Sequence, residues 1–190
     1  MNKYQKLYDG IGRIAWGYFF VYFDFKFNSV SVLPSFIGYL LFLSAISLLC
    51  DEERELDLLK SMNIILVIWH LISWLLSWVS ADPDGMLQIF DIVIGIVNIY
   101  FHFQLLTNVA SIASRRQPSD YEIDIKLLNY RTVQTVMLTI VIVLGYFSKW
   151  LDGFGTLISV MIIIGYIIAG ILLMKALFDL RRVLPNSLDE

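Results

Sequence analysis

His70, Ser73, Ser77 and Ser80 follow one another at spacings of 3, 4 and 3, and Asn63 lies one heptad before His70, so all five fall on or near one helix face. Gln88, Asp91, Gly95, Asn98 and His102 follow at 3, 4, 3 and 4, again one face. These residue types do chemistry. A carboxylate holds or releases a proton, an imidazole changes charge near neutral pH, and amides and hydroxyls stand in for the water around a solute. They sit in HLISWLLSWVSADPDGMLQIFDIVIGIVNIYFH, residues 70–102, where two apolar runs flank the break DPDG.

A hairpin folded about Pro83-Asp84 sets Ser77 level with Asp91, His70 with Asn98, and Asn63 with His102, giving three polar tiers along one seam. Asp91 lies seven residues past Asp84, about 10 Å deeper at a helical rise of about 1.5 Å per residue. In hydrocarbon an ionised aspartate at mid-helix costs about 2.5–3.5 kcal/mol on insertion scales. Asp91 is therefore expected to be hydrogen-bonded, to face a wet cavity, or to keep its proton. The competing reading of the serines and of Asn63 is interhelical hydrogen bonding, worth about 0.6 to 2 kcal/mol each. Asp91, His70 and His102 are the stronger functional candidates, because ionisable groups cost more to bury than such bonds return. The seam Asp91, His70, Asn98, His102, Ser73, Ser77, Gln88 and Asn63 is the expected substrate or ion pathway.

The elements that position these residues are apolar. Of 190 residues 58% are hydrophobic and 16% charged, and the mean hydropathy is +0.70. A soluble domain carries about a quarter charged residues and needs no repeated apolar runs of about 20. The expected fold class is all-α: a polytopic transmembrane helical bundle forming one domain over residues 1–190. Its expected spans are 11–25, 33–50, 63–81, 86–107, 132–147 and 154–178, with inner loops 51–62 and 108–131. The first span is short and crosses only if its polar ends reach the headgroups. It opens with early lysines, but Asp9 and Arg13 interrupt the apolar run and no cleavage site follows, so it reads as a retained helix rather than a signal peptide.

Cation placement orients the chain. With six crossings and the N-terminus inside, Lys3, Lys6, Arg13, Arg54, Lys60, Arg115, Arg116, Lys126, Arg131, Lys175, Arg181 and Arg182 lie on one side and only Lys26 and Lys149 on the other. If the first segment fails to cross, twelve against two falls to nine against five. Six spans in three hairpins, both termini inside, is the expected arrangement. Trp74, Trp78 and Trp150 fall near the outer boundary, where an aromatic belt sits. Asp24, Asp82, Asp84 and Asp152 give the outer mouth a negative lean that favours cations.

The connections carry their own signals. FKFNSVSVLP alternates about Asn28-Ser29 and predicts a small extended or hairpin element. DEERELDLLK, residues 51–60, predicts a helical extension below the membrane. Ser119 with Glu122 has capping-box spacing, which predicts a helix starting near Asp120 that lies on the inner surface or runs into span five. Thr135, Thr139, Tyr146 and Lys149 share one face of span five, and Ser159, Tyr166 and Gly170 one of span six; both read as close-packing faces. Asp-Gly recurs at Asp84-Gly85 and Asp152-Gly153, each before a span that leads to an Arg-Arg pair, a weak sign of a hairpin repeat that topology alone also produces.

Catalytic signatures are missing. The chain has no His-Glu-x-x-His, phosphate-binding loop, Gly-x-Ser-x-Gly elbow or dinucleotide fingerprint. Asp51-Glu52-Glu53-Arg54 has the paired glutamates of membrane CAAX-type proteases, but Asp57 stands where their arginine is needed. The single Cys50 permits no intramolecular disulfide and no multi-cysteine metal site, and the two histidines lie on different spans about two tiers apart. No cofactor, metal or nucleic-acid partner is expected, and the reading leans away from an enzyme.

LPSFIGYLLFLSAISLL, residues 33–49, preceded by FDFKF, resembles a group of small multi-pass membrane proteins of Gram-positive bacteria, in which Leu-Pro-x-Phe-Ile-Gly-Tyr opens the second span. FHFQLLTNVASIA, residues 101–113, is similar to their fourth-span exit. That group commonly carries Asp after the proline, where this chain has Ser35. The resemblance covers about a third of the chain; it implies a multi-pass protein of a bacterial cytoplasmic membrane and brings no activity with it.

Three functions fit. The preferred one is a small transport or channel-like protein that moves a solute, ion or proton along the seam, with a small solute or cation met at the outer face. Its size also matches the substrate-binding subunits of energy-coupling-factor vitamin transporters, but IGRIAWGYFF lacks their Ala-x-x-x-Ala helix motif. The second is an accessory or structural protein that holds a protein partner through inner loops 51–62 and 115–131. The third is a membrane enzyme acting on lipid, with Asp91 or a histidine as acid or base. All three have the lipid bilayer as their setting, and a homo-oligomer is compatible with each.

Overall fold

The computed structural model describes residues 2–23, 26–27, 30–31, 33–79, 85–147 and 154–184; within these, the side chains of 26–27, 30–31, 79, 85–89, 145–147 and 154–159 are outside the description. Six helices make up the described chain: α1 (Lys3–Tyr22), α2 (Ser35–Leu49), α3 (Glu55–Val79), α4 (Gly85–Arg116), α5 (Ile123–Phe147) and α6 (Phe154–Val183). Four of them, α3 to α6, are long and apolar enough to cross a membrane. α2 is apolar but has only 15 residues. Between α1 and α2 lies an antiparallel pair, β1 (Lys26–Phe27) and β2 (Val30–Ser31), in register Lys26↔Ser31 and Phe27↔Val30. This is the small extended element that alternation about 28–29 predicts.

Each helix packs on the next, and α6 returns to α1, so the six form a closed ring. α1 holds the ring together. Leu7, Ile11, Ile14, Ala15, Tyr18 and Tyr22 recur at helical spacing and are all buried. Its small residues let neighbours approach: a β-carbon on Gly38 of α2 would stand 2.6 Å from the Gly17 carbonyl oxygen. The outside of the ring is apolar. Ile64, Ile68 and Leu75 of α3, Val133 and Val136 of α5, and Ile164, Ile168 and Leu172 of α6 are each more than a third exposed. Exposed apolar surface on this scale has hydrocarbon as its solvent, so the chain is a membrane protein.

Two expectations about the inner connections change. α4 continues past Thr107 to Arg116, which shortens the connection expected over 108–131 to residues 117–122; α5 starts at Ile123 and runs on into the fifth apolar segment, in line with the helix expected from near Asp120, and α3 starts at Glu55 within the helical extension expected over 51–60. Both helices run beyond their apolar stretches because polar side chains there find partners and Val109, Ile112 and Ala113 stay buried. The α5 start is also capped differently. The Gln117 Oε1 accepts the Ile123 and Asp124 backbone N–H groups at 3.0 and 3.4 Å, whereas the Ser119 hydroxyl turns to Asp120 at 3.5 Å. Residues 80–84 and 148–153, where the outer turns are expected, with Ser80, Asp82, Asp84, Lys149, Trp150 and Asp152, and also Asp24, Asn28 and Ser29, lie outside the described residues.

Candidate functional site

The polar seam survives in part, and it is centred on a residue of neither α3 nor α4. Tyr39 of α2, 1% exposed, collects polar groups of two other helices, α3 and α4. Its hydroxyl donates to the Asn98 Oδ1 at 2.7 Å, and its backbone carbonyl accepts the Asn63 Nδ2 at 2.9 Å. The His70 ring stacks on it with centroids 4.5 Å apart and planes 14° from parallel, while His70 Nδ1 lies 3.1 Å from Ser35 Oγ. His102 Nε2 lies 3.4 Å from the Tyr39 hydroxyl, and His102 Nδ1 lies 3.2 Å from the Tyr18 hydroxyl of α1.

Elementary valence fixes the direction of this chain. A phenol has one hydrogen, and that of Tyr39 goes to Asn98. The contact with His102 is then Nε2–H donating to the Tyr39 oxygen, which leaves Nδ1 as an acceptor for the Tyr18 hydroxyl. The result is one imidazole tautomer and one direction, Tyr18 to His102 to Tyr39 to Asn98. His102 is 2% exposed and Asn63 is fully buried. Beside Tyr18 lies Gln134 of α5, also 2% exposed, within range of the Tyr18 hydroxyl but with neither Oε1 nor Nε2 in a completed hydrogen bond. Tyr22, whose ring is 6.0 Å from that of Tyr18 and 4.5 Å from that of Tyr166, buries a hydroxyl with no partner. His102 sits near the middle of the apolar segment Phe90–Arg116 and Gln134 near the middle of Ile123–Leu144.

Thus Asn63, His70, Asn98 and His102 come together, but through Tyr39 rather than tier against tier. Both histidines lie against the same tyrosine, closer in space than the hairpin arithmetic suggests. The other members stay out. Asp91 is exposed and makes no hydrogen bond or ion pair among the described residues, because the core offers a carboxylate no counter-charge. Ser73 is exposed, and the Ser77 hydroxyl donates to the Trp74 carbonyl of its own helix at 2.6 Å. The side chain of Gln88 lies outside the described residues. Sequence reasoning missed Tyr18, Tyr39 and Gln134. A tyrosine inside an apolar run has a hydroxyl to place, which was the available signal.

A second cluster lies at the other end of the ring, at the turn between α2 and α3. Glu52 meets Lys3 of α1 and Arg116 of α4, each at 2.8 Å, and its side chain is 9% exposed. Arg115 reaches Glu53 at 2.8 Å and the Glu52 carbonyl at 3.1 Å, while Lys6 meets Asp51 at 2.6 Å. Burial works against the Glu52 charge, but Lys3 and Arg116 together outweigh it and hold the carboxyl below its ordinary value. The hydrogen bond from Lys6 lowers Asp51 and raises Lys6 in turn. A cleft of about 320 Å³ opens here, lined by Lys3, Lys6, Leu48, Asp51 and Glu52, its charges already paired with one another. Among the described residues no group of three His, Cys, Asp or Glu side chains could hold a metal. The chain matches no family model, no curated protein and no solved structure.

Proposed function

We propose that this chain is a small transport or channel-like protein of a bacterial cytoplasmic membrane, and that its path runs through the polar core around Tyr39. In this reading α1 and α2 also cross, giving six spans in three hairpins with both termini inside. The lysine and arginine split supports that orientation. One observation carries the function. Deep in a ring of apolar helices, Tyr18, Tyr39, Asn63, His102 and Gln134 turn their polar groups inward, joined by half-buried Asn98. Buried polar groups are costly unless paired, and Gln134, Tyr22 and Asn63 still carry unpaired atoms. Packing alone would be served more cheaply by leucine. Polar interiors near the membrane midplane are where transporters hold their substrates.

The test is reconstitution of the full chain into liposomes, with stopped-flow light scattering for neutral solutes and trapped dyes for protons and K⁺. Passage of at least one probe above empty vesicles, reduced by Tyr39→Phe, is the expected result. Vesicles no more permeable than empty ones to every probe would sink the reading.

The partner-binding reading keeps one specific support. Residues 51–53 spend their charges on the chain's own cations, yet Leu58 is 74% exposed beside Glu55 and Asp57, and Tyr121 and Ile125 are about half exposed near the start of α5. A partner would be held there rather than on the acidic turn.

A further inference from the structure

We infer that the polar core is a binding site for a small uncharged molecule presenting a hydrogen-bond donor beside an acceptor, as a primary carboxamide or urea does, and that Gln134 is its recognising residue. This deepens the transport reading and rests on it for the path, though not for the site.

The argument starts from Gln134. Its amide offers an acceptor and a two-hydrogen donor on one planar edge, and both atoms are buried without a completed hydrogen bond. Leaving such groups unmade costs about 1–3 kcal/mol each; one Nε2 hydrogen is within reach of the Tyr18 oxygen, so Oε1 and the second Nε2 hydrogen call for a partner that answers both. Its neighbour cannot. The direction of the hydrogen-bond chain commits the Tyr18 hydrogen to His102. Tyr18 can then accept from Nε2 but has nothing to give to Oε1. That leaves Oε1 open to a donor on a bound molecule, and the unpartnered hydroxyl of Tyr22, whose ring lies 6.0 Å from that of Tyr18, offers such a molecule a second contact.

Charge decides the ligand class. Among the described residues the core is lined by phenols, imidazoles and amides, with Asp91 left outside. Desolvating an ion costs several kcal/mol unless a counter-charge or a full set of ligands replaces its water. A neutral amide exchanges hydrogen bonds nearly one for one. The closest charge along α5 is Arg131, one turn towards its start, with its guanidinium 4.3 Å over the Phe103 ring and Nη1 donating to Thr107. Its sign repels cations.

The experiment is saturation-transfer-difference NMR on the full chain in nanodiscs, with acetamide as probe, N,N-dimethylacetamide as the probe lacking N–H donors, and acetate and K⁺ as competitors. The expected result is transfer to acetamide, little to the dimethyl compound, and at least a tenfold weaker acetamide signal in Gln134→Met, which keeps length and shape but removes both polar atoms. Should Gln134→Met unfold, Tyr22→Phe serves, with a weakened acetamide signal expected. Equal transfer to both amides, displacement by acetate, or a signal untouched by both variants would overturn the site. Acetamide binding without flux in the liposome assay sinks transport and leaves the site standing. Flux of K⁺ or protons with no acetamide signal does the reverse.

Discussion

Tyr39 shows how much one hydroxyl can organise. Tyr39→Phe keeps the ring stacked on His70 and removes only the group that serves Asn98 and His102. Buried His102 and half-buried Asn98 then each lose a partner, and a loss of about 1–3 kcal/mol is expected. For a chain of this size each kcal/mol is about 2–4 °C in melting temperature, readable by thermal unfolding in detergent. Coupling Tyr39→Phe with Asn98→Leu should cost less than the two separate losses combined, because the second change removes the atom that the first leaves stranded. Asp91→Asn, by contrast, should leave the core hydrogen bonds untouched and strand no buried partner, since Asp91 is exposed and outside the core. Helical spacing put Asn63, His70, Asn98 and His102 on two facing stripes, and the structure brings these four together at Tyr39. It could not say which of them would find a partner, because periodicity describes one helix face and is blind to the helix across from it. Tyr39 and Tyr18 were hidden for a related reason: in an apolar run a tyrosine counts as grease, and its hydroxyl shows only when the neighbouring helix is in place.

At the scale of elements, close approach between helices is the feature that a composition scan passes over. α1 and α2 meet at Gly17 and Gly38, where an added β-carbon would strike backbone. Gly38→Ala would put that carbon 2.6 Å from the Gly17 oxygen, and neither backbone can swing aside as a side chain can. The two helices must separate, at a cost of about 1–3 kcal/mol. Gly165 of α6 is the control. Its β-carbon would meet only the end of Met137 at 3.4 Å, and Gly→Ala inside a helix gains up to about 1 kcal/mol. Opposite shifts of melting temperature are expected, down for Gly38→Ala and level or up for Gly165→Ala; matching shifts would mean the contact between α1 and α2 is looser than described. The four long helices were legible because long apolar runs report themselves. Their ends were legible only in part: the starts of α3 and α5 were, the run of α4 to Arg116 was not. Asn108, Ser111 and Arg115 look like the start of a loop until Gln104 is seen to donate to Asn108, and Glu53 and the Glu52 carbonyl to accept from Ser111 and Arg115, and Gln117 is an unusual choice to cap α5.

For the molecule as a whole, the ring is cinched at one end by charges from α1, the turn between α2 and α3, and α4. Asp51 and Glu52 ionise below their ordinary values of 3.8 and 4.5. Their share of stability is therefore complete above those values and drains away as pH falls through the lowered ones. Lys6 lies above its ordinary 10.5, so its share is complete below that value and is lost only as pH rises past it. Melting temperature should be level between about pH 5 and 10 and fall on the acid side, with the acid limb flattened in Glu52→Gln. Salt should weaken the exposed Lys6–Asp51 pair more than the sheltered Glu52 pairs.

The same cluster tests which way the molecule sits. Cys50, a free thiol, is the residue before Asp51 at the end of α2. If α1 and α2 both cross and the termini face inward, Cys50 lies at the inner boundary with its partly exposed side chain open to the cytoplasm. A membrane-permeant maleimide should then label intact cells at Cys50, and a charged, impermeant maleimide should label it only after lysis. Labelling of intact cells by the impermeant reagent would put the acidic turn and its lysines and arginines outside. That outcome would reverse the cation bias on which the orientation rests and require the first segment, or the whole bundle, to be placed anew.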